Sequence, residues 1–109
     1  MTSRRGRRYL LARFLTKDQV SEQAIESAVA TSVSQMFGRF GVAQMNVRLI
    51  GIDPAGEKAV LRCASESVER LRAALAMISE VNQQTAAAMV LRSSGTIRGL
   101  KVRIQRRRK

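Results

Sequence analysis

The chain has 109 residues, of which 45% are hydrophobic, and its 20 Lys and Arg against 8 Asp and Glu give a formal net charge of +12. This length predicts one domain that buries roughly two thirds of its unfolded surface and needs no disulfide or bound metal to stay folded. The longest apolar runs span six residues, against the roughly 20 of a membrane-spanning helix, so we expect a soluble protein with no membrane partner. A lone cysteine, Cys63, excludes an intramolecular disulfide and fits a reducing cytoplasm.

A basic arm, a strand and a helix are predicted in the first part of the chain. Residues 1–7 are expected to be a disordered arm, and a strand follows over about residues 8–15. Apolar residues then recur at helical spacing up to Phe37, which predicts a helix. Its N-cap is expected from one of three side chains, Thr16, Asp18 and Ser21. The helix is expected to end at one of two glycines, Gly38 and Gly41. Phe40 is expected to pack back on the core.

A hairpin and a second helix are predicted next. Strands over about residues 45–52 and 58–64 flank Asp53-Pro54-Ala55-Gly56, where proline presets the second position of a turn. Cys63 lies in the second of these strands and is expected to be a small buried hydrophobe. A helix capped by Ser65 follows, with acidic residues in its first turn, where the helix dipole favours them.

A fourth strand completes the predicted domain. Residues 80–84 are polar enough for a loop, and residues 85–92 predict a strand. The order strand, helix, strand, strand, helix, strand is that of a ferredoxin-like split βαβ sandwich, an α+β fold shared by many RNA-binding domains. We therefore expect a four-stranded antiparallel sheet with two main helices over residues 8–97. Residues 98–109 are expected to form a basic C-terminal segment.

The positive charge is concentrated at the two ends. Residues 1–13 hold five arginines and residues 98–109 hold seven basic residues, with no acid in either segment. Residues 14–97 hold eight basic and eight acidic residues, so the body is neutral. This division favours a directed contact with a polyanion. In the expected fold the first and fourth strands are antiparallel neighbours, so the two basic segments should meet at one end of the sheet.

A turn of hydroxyls and glycine, Ser93-Ser94-Gly95-Thr96, opens directly into the basic tail. Such a turn beside a charge cluster predicts a backbone cradle for an RNA phosphate, with φ > 0 at Gly95. No catalytic or metal-binding residue is predicted. The predicted RNA-binding residues are Arg4, Arg5, Arg7, Arg8, Ser93, Ser94, Gly95, Thr96, Arg98, Lys101, Arg103, Arg106, Arg107, Arg108 and Lys109.

Aromatic residues are too few for a reader of RNA bases. Residues 58–63, in the third strand, contain none, although sheet-based readers stack bases on aromatics there. Tyr9 could stack on a base, but a half-buried strand position is the favoured role. Contact with the RNA backbone and its shape is therefore expected instead of sequence reading.

Four short blocks occur in the same order as in a known family. They are Arg8-Tyr9-Leu10-Leu11, Phe40-Gly41-Val42-Ala43, Val60-Leu61-Arg62-Cys63 and Ser94-Gly95-Thr96-Ile97-Arg98. With these blocks the chain resembles protein component 2 of archaeal ribonuclease P, which is homologous to a subunit shared by eukaryotic ribonucleases P and MRP. The last block is the most specific of the four.

The resemblance implies an accessory subunit that binds the catalytic domain of the ribonuclease P RNA and supports removal of 5′ leaders from precursor tRNA. It implies that the RNA performs the catalysis, with Mg²⁺ at the RNA and no cofactor in the protein. It also implies a partner protein of barrel-like fold and a homodimer contact within a heterotetramer.

The segment after Gly99 departs from that family, whose members read as helical there. Residues 100–105 alternate strictly between apolar and polar, although three apolar residues also fit one helical face, Ile97, Leu100 and Ile104. We predict a short helix capped by Thr96, with free amides over residues 95–98 that could bind a phosphate.

Two other functions fit parts of the pattern. A ribosomal or other structural RNA-binding protein would share the size and the basic ends. An acylphosphatase-like enzyme would share the sandwich and could bind phosphate through Arg13 or Arg39, but its glycine-rich loop after the first strand is replaced by Thr16-Lys17-Asp18-Gln19.

Overall fold

Two helices pack on one face of an antiparallel sheet in the computed structural model, which describes residues 6–106. The sheet runs in the order β4-β5-β1-β3-β2-β6. Its elements, in chain order, are β1 (Arg7–Thr16), α1 (Glu22–Met45), β2 (Arg48–Ile52), β3 (Lys58–Ala64), α2 (Val68–Ala76), β4 (Glu80–Val81), β5 (Gln84–Ser94) and β6 (Gln105–Arg106).

The four long strands have the predicted neighbours. β1 pairs with β3 and, on its other side, with β5, where Tyr9 lies opposite Ser94 and Thr16 opposite Ala86. The start of β1 therefore lies beside the end of β5. The α+β class is confirmed, but the count of four strands is wrong, because β4 and β6 add two residues at each edge of the sheet.

β4 forms where a loop was predicted. Asn82 and Gln83 both have positive φ, at 52° and 69°, which is the geometry of a two-residue hairpin turn. This turn folds Glu80–Val81 back onto the start of β5, so the returning strand begins at Gln84.

Helix α1 continues past both glycines at which it was expected to end. Gly38 has a non-helical backbone (φ 70°, ψ −176°) that kinks the helix, and helical geometry then resumes as far as Met45. Gly41 and Met45 continue the buried side of the helix one and two turns after Phe37, which packs against the core. Phe40 falls outside that stripe and is 76% exposed, so its predicted core position is wrong.

The predicted capping chemistry holds at α1 and differs at α2. Ser21 Oγ accepts a hydrogen bond from the Ala24 N–H (3.0 Å). A 3₁₀ turn spans Ser65–Ser67 before α2, and the N-cap position of α2 is Ser67, without a side-chain hydrogen bond, so the predicted Ser65 cap is not formed. None of the helices in residues 6–106 is long and apolar enough to cross a membrane.

The β2–β3 hairpin forms as predicted. Asp53 Oδ1 accepts hydrogen bonds from the N–H groups of Glu57 and Lys58, both at 2.9 Å, and Gly56 takes φ 75°. Cys63 is 1% exposed in β3, which confirms its predicted core position.

The sheet has a hydrophobic cluster on each face. The larger lies between the sheet and the helices and includes Leu10, Phe14 and Leu61. The smaller lies on the opposite face and consists of buried Leu11, Val60 and Leu100, with Tyr9, Ile50, Val102 and Ile104 packed against it. Residues 97–106, called the strap below, thus cover part of the face that the helices leave open.

The strap is extended over most of its length, so the predicted short helix is wrong. A single 3₁₀ turn spans Arg98–Leu100, Lys101 takes φ 55°, and the chain then runs on to β6. The alternation of residues 100–105 decides this outcome, because it turns the apolar residue at every second position onto the sheet.

Candidate nucleic-acid interface

Arg8 lies beside the turn that precedes the C-terminal basic segment, at the end of the sheet where β1 starts and β5 ends. Arg8 Nη2 donates a hydrogen bond to Ser93 Oγ (3.3 Å), across the pairing of β1 with β5. Gly95 lies beside them, since a Cβ built on it would be 3.8 Å from Arg8 Nη1. Arg7 and Arg98 are exposed. Arg8 therefore lies beside the turn as expected, but Lys101 and Arg103 of the basic tail do not join it.

The turn after β5 is held together by its own hydroxyls. Ser94 Oγ accepts from the Thr96 N–H (3.2 Å), and Thr96 Oγ1 accepts from the Gly99 N–H (3.0 Å). The Thr96 amide, one of those proposed for a phosphate, is therefore already used. The expected φ > 0 at Gly95 is also wrong, because the positive-φ glycines in the described chain are Gly38 and Gly56.

The basic residues of the strap lie on the open face, away from Arg8. Leu100, Val102 and Ile104 pack on the sheet, while Lys101 and Arg103 between them are exposed. The strap ends at the far edge, where the backbone of Arg106 pairs with Gly51. The remaining predicted residues, Arg4, Arg5, Arg107, Arg108 and Lys109, lie outside the described residues.

Further basic residues face the same side from the strands. Arg48 lies between Val47 and Leu49, which both pack into the helix-side core, so its side chain is on the open face. Arg62 takes the same orientation between Leu61 and Cys63.

Three more cations lie on the open face, two by the same alternation and one by its strand pairing. Arg13 lies between Ala12 and Phe14 of the helix-side core, and Lys58 precedes Ala59 of that core. Arg92 pairs with Leu11, which belongs to the open-face cluster. Five strand cations on this face were therefore missing from the sequence-predicted site.

Acidic residues are absent from the four long strands. These strands contain seven basic residues, Arg7, Arg8, Arg13, Arg48, Lys58, Arg62 and Arg92, and no Asp or Glu. All eight acids lie in the helices, the turns or β4. The charges are thus separated in space as well as along the chain, which favours a polyanion on the open face.

The strand cations could have been found from the sequence. Each is ordinary alone, but every predicted strand lacked acids and carried at least one arginine or lysine. Counting charges by strand face, rather than by chain segment, would have exposed the pattern.

The centre of the open face is closed to base stacking. Leu100 is fully buried on Leu11 and Val60, and Tyr9 is half-buried at the edge of this cluster. Cations surround this covered centre. The arrangement is suited to phosphate contact and leaves no aromatic platform at the centre of the sheet.

Cys63 does not supply a reactive thiolate. Burial, and secondarily the negative charge of Glu66, raises the pKa of Cys63 to about 11, although Arg8 acts in the opposite direction. The thiol is therefore neutral near pH 7 and behaves as a core residue.

Fold and surface together define a class of small α+β proteins that offer a cationic sheet face to a polyanion. The profile of the Rpp14/Pop5 family matches residues 8–105. The chain is 35% identical over 103 residues to ribonuclease P protein component 2 of Methanocorpusculum labreanum, covering 94% of this chain and 69% of that protein. It is 31% identical over 100 residues to the same component of Pyrococcus horikoshii, covering 92% and 83%. The chain belongs to the Rpp14/Pop5 family.

A solved assembly contains a chain of similar fold. A chain in the cryo-EM structure of yeast ribonuclease MRP superposes with a TM-score of 0.66 at 12% identity, covering 84% of this chain and 76% of that one. At this identity the likeness concerns the fold alone.

Proposed function

We propose that this protein is an RNA-binding accessory subunit of ribonuclease P, which supports removal of 5′ leaders from precursor tRNA. The observation that carries this proposal is membership of the Rpp14/Pop5 family, with relatives named ribonuclease P protein component 2. The four long strands, which contain no acid, add a physical reason, because they present cations to a phosphate backbone.

In this proposal the RNA carries out the cleavage chemistry and the protein assists it. Mg²⁺ bound by the RNA would stabilise charge at the scissile phosphate, while the protein reduces repulsion between neighbouring RNA segments. Exposed cations such as Lys101 and Arg103 suit this role, since they attract phosphates without contacting a base.

The remaining assignments belong to the same proposal. We assign the fold to the ferredoxin-like group, supported by the long-strand order β5-β1-β3-β2. The protein is expected in the cytoplasm, with a barrel-like partner protein and a homodimer contact. Exposed apolar residues around α1 support a protein contact: Met36, Phe40, Val42 and Met77.

The acylphosphatase alternative loses support from the geometry. Arg13 lies on the open face of the sheet, whereas Arg39 lies on α1, which packs against the other face. The two arginines therefore cannot act together, and either one alone lacks the glycine-rich loop, whose place at the end of β1 is taken by Thr16-Lys17-Asp18-Gln19.

Reconstitution tests the proposed function. The full chain, with a barrel-like ribonuclease P protein component, is added to ribonuclease P RNA of Methanocorpusculum labreanum, and precursor tRNA cleavage is measured. We expect a higher cleavage rate at limiting Mg²⁺ than with the RNA alone. An unchanged rate, together with recovery of ribosomal RNA but no ribonuclease P RNA in a pull-down, would favour a ribosomal role.

A further inference from the structure

We propose that two cross-strand cation pairs, Arg48 with Arg62 and Arg13 with Lys58, are two phosphate-binding points that hold RNA backbone on the open face. The repulsion within each pair is relieved when RNA binds. This inference deepens the proposed function and rests on it for the identity of the polyanion.

The pairs follow from the strand register. Arg48 of β2 is directly opposite Arg62 of β3, and Arg13 of β1 is directly opposite Lys58 of β3. Directly opposed residues in an antiparallel pair have Cβ atoms about 4.5–5.5 Å apart on the same face. Each pair therefore places two positive side chains close together.

The two pairs flank the covered centre of the open face. The row Leu11–Val60 lies between them, and Leu100 of the strap packs on that row. Along β3, Lys58 and Arg62 are four residues apart, or about 13 Å. A polyanion held at both points would therefore cross the strap, which itself presents exposed Lys101 and Arg103.

No ion pair within residues 6–106 joins these cations to an acid. The described ion pair joins Arg72 and Glu69 of α2 (3.7 Å), and none of the four paired cations makes one within residues 6–106. Arg13 Nε is shielded from solvent and has no hydrogen-bond partner. Asp53 is near in sequence, but its Oδ1 accepts the Lys58 backbone N–H.

Like charges directly opposite each other destabilise a sheet. Two such pairs, with no acid on any of the strands involved, oppose folding of the free protein. An RNA phosphate placed between the two side chains would reverse the sign of the interaction. The same residues thus weaken the free fold and strengthen the complex, which gives a signature that an ordinary structural role would not produce.

The test uses the full chain with two variants, Arg48→Gln/Arg62→Gln and Arg13→Gln/Lys58→Gln. Binding to ribonuclease P RNA of Methanocorpusculum labreanum is measured against salt concentration, and thermal melting is measured without RNA. For each variant we expect the slope of log K against log salt to fall by about 0.7–0.9, since each pair binds one phosphate and each phosphate contact contributes that amount. Affinity at 0.1 M salt should fall on the order of 10-fold.

The melting temperature of the RNA-free variants should rise, whereas their affinity for RNA falls. Relief of one like-charge pair should raise the melting temperature by about 1–5 °C. A control variant, Arg39→Gln/Arg72→Gln, removes two charges from the helices, and we expect its salt slope to stay within about 0.5 of the unmodified chain.

The outcomes separate this inference from the proposed function. A lower melting temperature for the paired variants, or equal slope losses in the control, overturns the paired phosphate points even if cleavage is stimulated. Slope losses confined to the paired variants support them even if the chain fails to stimulate cleavage, and in that case the proposed function falls alone.

Discussion

Gly99 is the glycine on which the turn before the strap depends. A Cβ on Gly99 would run into the Ser94 side chain and lie 3.2 Å from Thr96 Oγ1, whereas a Cβ on Gly95 meets only Arg8 Nη1, at 3.8 Å. Ser94 cannot move away freely, because its hydroxyl accepts the Thr96 N–H.

We therefore expect Gly99→Ala to destabilise the protein by about 1–3 kcal/mol through overpacking. Gly95→Ala should stay within about 0.5 kcal/mol of the unmodified protein. Urea unfolding of both variants measures the difference. Equal effects would mean that the close approach at Gly99 is absent.

Cys63 makes stability depend on pH in the alkaline range. Its pKa is raised to about 11 in the folded protein from 9.0, so the unfolded chain releases the proton first as pH rises. Stability from this group is complete below pH 9 and is lost between pH 9 and about 11. The loss should be roughly 2–3 kcal/mol.

Cys63→Ala isolates this contribution. Unfolding free energies of both proteins are measured from pH 8 to 11, and the decline should be smaller in the variant by that amount. Parallel curves would show that the buried thiol titrates alike in both states.

At the scale of elements, the kink in α1 depends on Gly38. Its φ of 70° and ψ of −176° form a backbone conformation that is nearly confined to glycine, and no atom lies within 4 Å of a Cβ built there. The cost of a side chain is therefore a backbone cost alone.

Gly38→Ala consequently distinguishes a kinked helix from a regular one. The kink predicts a loss of about 1–3 kcal/mol, whereas a regular helix would gain about 1 kcal/mol from alanine. Thermal unfolding gives the sign, and a higher melting temperature would contradict the kink.

The strap is held by Leu100, which is fully buried. Leu100→Ala should cost about 2–5 kcal/mol by emptying the open-face cluster. Lys101→Ala, at the next and exposed position, should change stability by less than about 0.5 kcal/mol. Calorimetry of both variants measures these changes. If Leu100→Ala leaves the unfolding free energy unchanged, the strap does not pack on the sheet.

Local chemistry was enough to predict most of the elements. The Asp53-Pro54-Ala55-Gly56 turn and the alternation in the long strands lead directly to the observed hairpin and sheet neighbours. The strap was mispredicted because two periodicities compete over residues 97–104, and contact with the sheet decides between them. β4 was missed because only the fold stabilises a two-residue strand.

At the scale of the whole molecule, five cations of the long strands and two of the strap lie on the same face of the sheet. The net charge of +12 and the absence of acids from the four long strands imply self-repulsion in the free protein, which salt screens. We expect the RNA-free protein to melt higher as NaCl rises from 0.05 to 0.5 M, by about 4–8 °C per kcal/mol of repulsion relieved. A melting temperature that is flat or falls with salt would contradict one-sided crowding of charge.

The candidate site was only partly predictable from the sequence, because part of it depends on strand register. The meeting of Arg8 with Ser93 follows from strand order, so the sequence sufficed there. The opposition of Arg48 with Arg62 depends on the register between β2 and β3, which includes a shift between Leu49 and Gly51. No local pattern specifies that shift.

The end of the strap also protects the sheet from self-association. β6 pairs with Gly51–Ile52 and so occupies backbone groups that would otherwise form an open edge at β2. Open edges are templates on which a second chain can add a strand and begin to aggregate. A chain that ends before Gln105 would keep its fold but expose that edge. We expect such a chain to precipitate during purification.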